Sequence, residues 1–149
     1  MNLKEKVNVD LIAAMKSKDK VKLNTIRSIR ALILEFEKNG SGKELTEEEG
    51  IKMLSTAVKK RKEAFEQYEK AGRTDLAENE KQELDILLSY LPKQLSEDEV
   101  LEKVKKYAVE IGANTKADFS KLMPLVIKNL KGQADGGTIR KMVEKVLGE

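Results

Sequence analysis

One segment, residues 72–96, constrains the fold most strongly because it holds a turn, a helix and a stop in succession. Gly72 favours the left-handed conformation that closes a preceding helix, and Thr74 or Asp75 is predicted to cap the next one. Pro92 is predicted to end that helix, since its ring disfavours helical geometry at the residue before it. Between these signals leucines recur near helical spacing, at Leu76, Leu84, Leu87, Leu88 and Leu91. The segment predicts two domains, an N-terminal bundle of about four helices at residues 1–92 and a smaller C-terminal helical lobe at 93–149.

The rest of the chain also has helical periodicity, and we find no strand-like alternation of useful length. Pro124 falls inside one apolar pattern and predicts a break there. The loop at residues 39–45 holds two glycines and is predicted to be the most mobile internal segment. Helices are predicted over residues 3–17, 20–37 and 46–70, with Asp19 as the cap of the second and Thr46 with Glu49 as the capping box of the third.

The later helices are predicted from the same kinds of signal. The fourth begins at its Thr74 or Asp75 cap and ends at Pro92, and the fifth begins at a Ser96–Glu99 capping box and ends at Gly112. The next helical stretch begins near residue 115, breaks at Pro124 into a second short helix and ends at Gly132. The last helix runs from residue 137 or 138 to 147, with Ile139, Met142 and Val143 predicted to face the core.

The composition supports an all-α fold and narrows the chemistry. Of the 149 residues 40% are apolar and only 4% aromatic, so the core must be built from aliphatic side chains, which suits helix-on-helix packing. The chain has neither Cys nor His, which removes thiol nucleophiles, imidazole bases and nearly all zinc chemistry. Carboxylates could still bind magnesium or act as acid and base, so the composition makes an enzyme less favoured without ruling one out. We expect no cofactor and no catalysis by the chain alone.

The charge and the apolar runs bear on partners and location. A net charge of +3 permits a nucleic-acid partner without demanding one. No apolar run is long enough to cross a bilayer, and the first ten residues lack the apolar core of a signal peptide. These features predict a cytoplasmic monomer with no membrane partner.

Two arginines are candidate structural residues. Arg61 occupies a position on the apolar stripe of the third helix, where an unpaired charge would be costly, so we expect it to contact Glu80 or Glu83. The alternative is a functional carboxylate pair with a tuned acid. Arg73, in the turn after Gly72, is predicted either to bind the carbonyl end of the third helix or to pair with Glu80, and it could instead contact a partner.

A glycine-rich turn at residues 131–138 is the most unusual segment. It contains three glycines in six positions at a predicted helix start, where backbone amides favour anions. Residues 115–147 carry six Lys and one Arg against two Asp and one Glu, a net charge of +4. The turn is therefore a candidate phosphate cradle, and the alternative is a plain connection between helices. The candidate RNA-binding residues are Lys121, Lys128, Lys131, Gly132, Gly136, Arg140 and Lys141.

Four short motifs together resemble the YqeY-like family over essentially the whole chain. They are GRTDLAENE from Gly72, ELDIL from Glu83, YLPKQLS from Tyr90 and GQADG from Gly132. The family shares its fold with the C-terminal tail of the B subunit of tRNA-dependent aspartyl/glutamyl amidotransferase. The domain is also appended to some glutaminyl-tRNA synthetases, where it aids tRNA binding.

The resemblance implies an all-helical, two-lobed protein related to domains that hold tRNA for glutamine-dependent amidation. It implies RNA contact at Lys131, Gly132, Gly136, Arg140 and Lys141. Gln133 departs from the Lys or Arg that relatives often carry, which weakens the phosphate cradle. The family is associated with carbon–nitrogen ligase activity that uses glutamine as the amide donor, but that chemistry belongs to domains absent from this chain.

Three hypotheses follow for function. The first is an accessory tRNA-binding module that uses shape and phosphate contacts. The second is a protein-interaction module that docks on an aminoacyl-tRNA synthetase or amidotransferase without touching RNA. The third, a stand-alone carbon–nitrogen ligase, is disfavoured because the chain has no nucleotide-binding loop, nucleophile motif or imidazole.

Overall fold

The computed structural model describes residues 1–39 and 43–148, and within these ranges the chain contains helices and no strand. This confirms the predicted all-α fold; residues 40–42 of the predicted mobile loop lie outside the described ranges. A 3₁₀ turn, Lys116–Asp118, precedes the sixth helix. The helices are α1 (Leu3–Ser17), α2 (Lys20–Asn39), α3 (Glu47–Lys70), α4 (Thr74–Leu88), α5 (Glu97–Ile111), α6 (Phe119–Asn129) and α7 (Gly136–Val146). No helix in the described ranges has the length and apolarity that a membrane span requires.

The chain divides into two compact units, residues 1–91 and residues 92–149. In the first unit, α1 and α2 run antiparallel, as two contacts show: Lys4 Nζ lies 2.9 Å from Glu37 Oε1, and Arg30 Nε donates to Asn8 Oδ1 at 3.4 Å. The third and fourth helices form an antiparallel hairpin. The buried core of this unit consists of Val7, Ala14, Ile26, Ile29, Ile33, Leu54, Val58 and Leu87.

Short-range caps begin several helices as the sequence predicts. Asp19 Oδ1 accepts from the amide of Lys22 at 3.1 Å, and Thr46 Oγ1 accepts from the amide of Glu49 at 3.1 Å. Because each cap joins residues three apart, the local sequence is sufficient to specify it.

Helix α4 differs from its prediction at both ends. It begins at Thr74, so Thr74 and Asp75 lie inside its first turn, and Arg73 precedes it without a side-chain cap. It ends at Leu88, before Pro92, because the backbone tightens there: the amide of Tyr90 bonds the Leu87 carbonyl and the amide of Leu91 bonds the Leu88 carbonyl. The prediction that Pro92 ends this helix directly is therefore wrong.

The second unit packs α5, α6 and α7 around its own core. Ser96 and Glu99 form the predicted reciprocal capping box at the start of α5, and Gly112 ends it with φ of 69°. The core positions predicted at the end of the chain are confirmed, since Ile139, Met142 and Val143 are buried. The complete buried set is Val100, Val104, Ala108, Ala113, Leu122, Val126, Leu130, Ile139, Met142, Val143 and Leu147.

The predicted break at Pro124 does not occur, and α6 continues through it. Proline has no amide proton, so the carbonyl of Ser120 loses its usual helical partner. Ser120 and Pro124 are both exposed, so water can satisfy that carbonyl while the buried face, with Leu122 and Val126, holds the helix together.

Candidate nucleic-acid interface

The glycine-rich turn between α6 and α7 is tied to its own unit through its carbonyl groups. Gly132 adopts φ of 77°, a left-handed conformation that favours glycine. Its carbonyl accepts from Gln94 Nε2 at 2.6 Å, and the Gln133 carbonyl accepts from the amide of Leu95 at 2.9 Å. The turn thus holds residues 94–95 against the rest of the second unit, a structural role that needs no ligand.

The start of α7 carries a carboxylate that the sequence reasoning overlooked. The helix begins at Gly136, one or two residues earlier than predicted, and Asp135 is its cap. Asp135 Oδ1 accepts from the amide of Thr138 at 2.7 Å, and a Cβ added at Gly137 would lie 3.3 Å from the same oxygen. An internal anion therefore occupies the place that the predicted phosphate cradle requires. The signal was available in the sequence, because Asp is a preferred cap at this spacing.

Arg140 and Lys141 are exposed but already have carboxylate partners. Arg140 Nε lies 3.1 Å from Glu144 Oε1, and Lys141 Nζ lies 3.7 Å from Glu97 Oε2. Lys131 is half-buried and also makes a contact within the protein. These three cations are therefore less available to phosphate than their charge alone suggests.

Helix α6 presents the most available cations of the predicted set. Lys121 and Lys128 are both exposed, and neither forms an ion pair in the described part of the chain. They are seven residues apart, so they lie on one face of the helix about 10 Å apart along its axis. Residues 119–134 contain no Asp or Glu.

Asp118 precedes this helix and is committed to its local turn. Its Oδ2 accepts from the amides of Asn114 and Thr115 at 3.0 and 3.1 Å. These bonds hold the pKa of the Asp118 carboxyl below its ordinary value, with a smaller contribution from Lys121. The carboxylate is thus satisfied by backbone donors, and Lys121 remains exposed beside it.

A second basic region, at the turn between α1 and α2, was missed by the sequence reasoning. Residues 11–30 contain six basic residues and one acidic residue, a net charge of +5. Within it Lys16, Lys18, Lys20 and Lys22 are exposed, and none forms an ion pair among the described residues. The signal was a lysine at every second position from 16 to 22.

Arg61 lies between two carboxylates of α4. Its Nη1 is 3.3 Å from Glu80 Oε2 and 3.1 Å from Glu83 Oε2, so a single guanidinium contacts both. Burial raises the pKa of Glu83, while Arg61 opposes that shift and Glu80 adds to it. The group joins α3 to α4.

Arg73 makes different contacts from those expected. Its Nε lies 3.4 Å from Asp75 Oδ1, and its amide donates to the carbonyl of Tyr68 at 2.9 Å. The guanidinium therefore pairs with Asp75 rather than with Glu80 or the carbonyl end of α3. The hydrogen bond from Arg73 lowers the pKa of Asp75.

A polar cavity of about 360 Å³ lies in the first unit, lined by Asp10, Asp19, Lys22, Asp85, Ile86, Ser89 and Tyr90. Its groups are largely engaged within the protein. Tyr90 Oη donates to Asp10 Oδ2 at 2.5 Å, and Asp19 caps α2. Among the described residues no group of three or more carboxylates is arranged to hold a metal ion.

Comparison with known sequences identifies relatives along nearly the whole chain. The model of the family described as Yqey-like protein matches residues 4–147. A Pyrenophora tritici-repentis protein named "Altered inheritance of mitochondria protein 41, mitochondrial" is 32% identical over 96% of this chain and 80% of its own length. Proteins of the same name from Clavispora lusitaniae and Lachancea thermotolerans are 36% and 34% identical, over 72% and 68% of this chain and 64% and 56% of their own lengths.

These names contradict the predicted cytoplasmic location, since the relatives are named as mitochondrial proteins. The prediction relied on the missing apolar core of a secretory signal. Mitochondrial targeting segments are amphipathic and rich in arginine rather than apolar, so that criterion does not bear on mitochondria. With its family model matched over residues 4–147, the chain belongs to the YqeY-like family.

Proposed function

We propose that this protein is a non-catalytic accessory module that binds tRNA, and that its C-terminal unit contacts phosphates through α6. The observation that carries the proposal is the pair of exposed cations Lys121 and Lys128, which lie on one face of a segment that contains no carboxylate. Phosphate contacts of this kind give affinity and orientation without reading base sequence. Kinship with the tail of the amidotransferase B subunit is part of this proposal.

The exposed lysines of α6 support binding to the phosphate backbone of RNA more than recognition of its bases. Reading unstacked bases requires exposed aromatic side chains for stacking, and this chain has only six aromatic residues. Phe119 and Tyr107, the aromatics of the second unit, both pack against its core. We therefore expect weak sequence preference and strong salt dependence.

The test is tRNA binding by the full chain, measured by filter retention over a range of salt concentrations. Replacing both cations, Lys121→Gln with Lys128→Gln, should weaken binding about three- to tenfold and reduce the salt slope by roughly 1–2. The matched control, Lys103→Gln with Lys106→Gln on α5, removes the same charge from exposed lysines of the same unit. An equal loss in both double variants would contradict a site on α6.

The cations around α7 provide a second comparison. Because Arg140 and Lys141 already pair with Glu144 and Glu97, replacing them should affect binding less than replacing the α6 pair. A variant with Lys131→Glu, Arg140→Glu and Lys141→Glu tests the cradle implied by the family resemblance. If that variant alone abolished binding, the RNA contact would lie at the turn and not on α6.

A second candidate is docking on an aminoacyl-tRNA synthetase or amidotransferase without RNA contact. It is favoured by a cleft of about 290 Å³ in the second unit, lined by Lys116, Phe119, Glu144 and Leu147. An apolar floor between opposite charges suits a protein side chain. Co-purification that survives nuclease treatment and is lost with Lys116→Glu, but not with the α6 double variant, would favour this candidate.

A further inference from the structure

Helix α1 is apolar on two opposite sides. Its inner side packs into the first unit, where Val7 and Ala14 are buried. Its outer side presents Val9 and Ile12, whose side chains are 53% and 56% exposed, together with exposed Ala13. A surface helix normally carries polar residues on its outer face, so this face is suited to a partner.

The outer face has a regular pattern. Glu5, Val9, Ile12 and Lys16 follow one another at spacings of four, three and four, which is the spacing of a coiled-coil seam. All four are exposed, and the two ends of the stripe carry opposite charges. Glu5 Oε2 accepts from the amide of Asn2 at 3.3 Å, while Lys16 forms no ion pair within the described ranges.

This pattern is complementary to itself when reversed. A two-fold axis between residues 10 and 11 places Glu5 of one copy against Lys16 of the other, and Val9 against Ile12. We propose that the outer face of α1 is an antiparallel, isologous contact between two copies of this chain. A parallel pairing would instead oppose Lys16 to Lys16 and Glu5 to Glu5.

Charge favours a second copy over other occupants. A second copy supplies a lysine opposite Glu5 and a glutamate opposite Lys16, whereas a uniformly anionic membrane or RNA can match only the Lys16 end of the stripe. The antiparallel arrangement also places the lysine-rich turns of the two copies at opposite ends of the helix pair. They therefore do not repel each other across the contact.

The contact should be weak and reversible. Two apolar pairs and two exposed ion pairs along a helix of 15 residues form an interface smaller than the standard size for stable complexes. Because α1 is already folded against α2, pairing does not have to order a disordered segment. We expect a dissociation constant on the order of 100 µM.

Sedimentation equilibrium from about 20 µM to 1 mM of the full chain tests the proposal, at concentrations that bracket the expected constant. Lys16→Glu should weaken association at least tenfold, and the double reversal Glu5→Lys with Lys16→Glu should restore it. Lys52→Glu, at an exposed position of α3, is the matched charge control. For the apolar pairs, Val9→Glu should abolish association while Val109→Glu, at an 82% exposed position of the second unit, should not.

Disulfide trapping gives an independent test, since the chain has no native cysteine. Chains carrying Glu5→Cys are mixed with chains carrying Lys16→Cys under mild oxidation. Residues 5 and 16 are about 16 Å apart along the helix, and a disulfide needs Cα atoms within about 7 Å, so only antiparallel pairing joins unlike chains. Val9→Cys mixed with Ile12→Cys leaves the Asn2–Glu5 cap intact and tests whether the two outer faces meet. These residues are only about 4.5 Å apart along the helix, so the direction of pairing is judged from the residue 5 and 16 pair alone.

Three results would overturn the proposal. The first is a wild-type chain that remains monomeric at 1 mM, about ten times the expected constant. The second is a double reversal that fails to restore association although circular dichroism shows unchanged helicity. The third is trapping dominated by like–like disulfides.

Discussion

The hydroxyl of Tyr90 donates a hydrogen bond to Asp10 Oδ2 at 2.5 Å, which joins the residues after α4 to α1 across eighty positions of the sequence. Burial, followed by the bond to Asp10, raises the pKa of Tyr90. The ammonium of Lys6 lies 4.8 Å from the centre of the Tyr90 ring, close enough for a cation–π contact. Tyr90 therefore connects α1 to the rest of the first unit by two kinds of contact.

Tyr90→Phe should lower the free energy of unfolding by about 1–2 kcal/mol at pH 7, because the charged acceptor Asp10 loses its donor. Since the folded state holds the phenol proton more tightly than the unfolded state, wild-type stability should fall above about pH 10. The difference between wild type and variant should therefore shrink there. Urea unfolding of wild type and Tyr90→Phe at pH 7 and above about pH 10 measures this difference in stability.

Tyr68→Phe is the control for this prediction. No hydrogen bond of the Tyr68 side chain occurs in the described part of the chain, so its loss should leave stability within about 0.5 kcal/mol. An equal effect of both substitutions would show that the bond to Asp10 contributes little.

Arg61→Met should destabilise the first unit by roughly 1–3 kcal/mol at pH 7, because Glu80 and Glu83 then face each other without a cation. Glu83 already has a raised pKa through burial, and removing the guanidinium should raise it further. A carboxyl whose folded pKa is raised loses stability as pH rises above its ordinary value of about 4.3. Lowering the pH from 7 towards that value should therefore reduce the difference in unfolding free energy between wild type and Arg61→Met.

The measurement is urea unfolding across this pH range, with Lys62→Met as the matched control. Lys62 is an exposed neighbour on the same helix, so its replacement removes one charge without exposing a carboxylate pair. A deficit that does not change with pH would indicate lost packing instead of repulsion between the two glutamates.

Asp135→Ala should lower stability by about 1 kcal/mol, because the amide of Thr138 loses its acceptor at the start of α7. Asp135→Asn should cost less, since asparagine caps helices nearly as well. Thermal unfolding of the two variants makes the comparison. Equal losses would imply that the charge of Asp135, and not its cap, stabilises this helix start.

Leu122→Ala should destabilise the second unit by about 2–5 kcal/mol, because its side chain is fully buried in the core between α5, α6 and α7. Val109→Ala, at a position that is 82% exposed on α5, should change stability by less than about 0.5 kcal/mol. Denaturant unfolding of both variants checks the core assignment. A small loss at Leu122 would contradict it.

Contacts between residues that lie only a few positions apart in the sequence could be predicted from the sequence. The Ser96–Glu99 box, the Asp19 and Thr46 caps and the end of α5 at Gly112 each involve residues within four positions of one another. The same local reasoning was wrong at Pro124. There the buried apolar face of α6 outweighed one missing hydrogen bond, and packing is a property of the whole unit.

The candidate site divides in the same way. The sequence identified the lysines of residues 115–147 by their charge. Only the tertiary structure showed that Lys141 on α7 contacts Glu97 on α5, which lies more than forty positions earlier in the sequence. It also showed that the carbonyls of the glycine turn hold residues 94–95.

By itself, the sequence determined an all-helical chain and most of its helix boundaries, because periodicity and capping operate over a few residues. Only the tertiary structure decided that Arg61 contacts both Glu80 and Glu83, that Tyr90 bonds Asp10, and that Val9 and Ile12 stay exposed on α1. These outcomes depend on which helix faces meet, and the free energy of that packing belongs to pairs of residues that lie far apart along the chain.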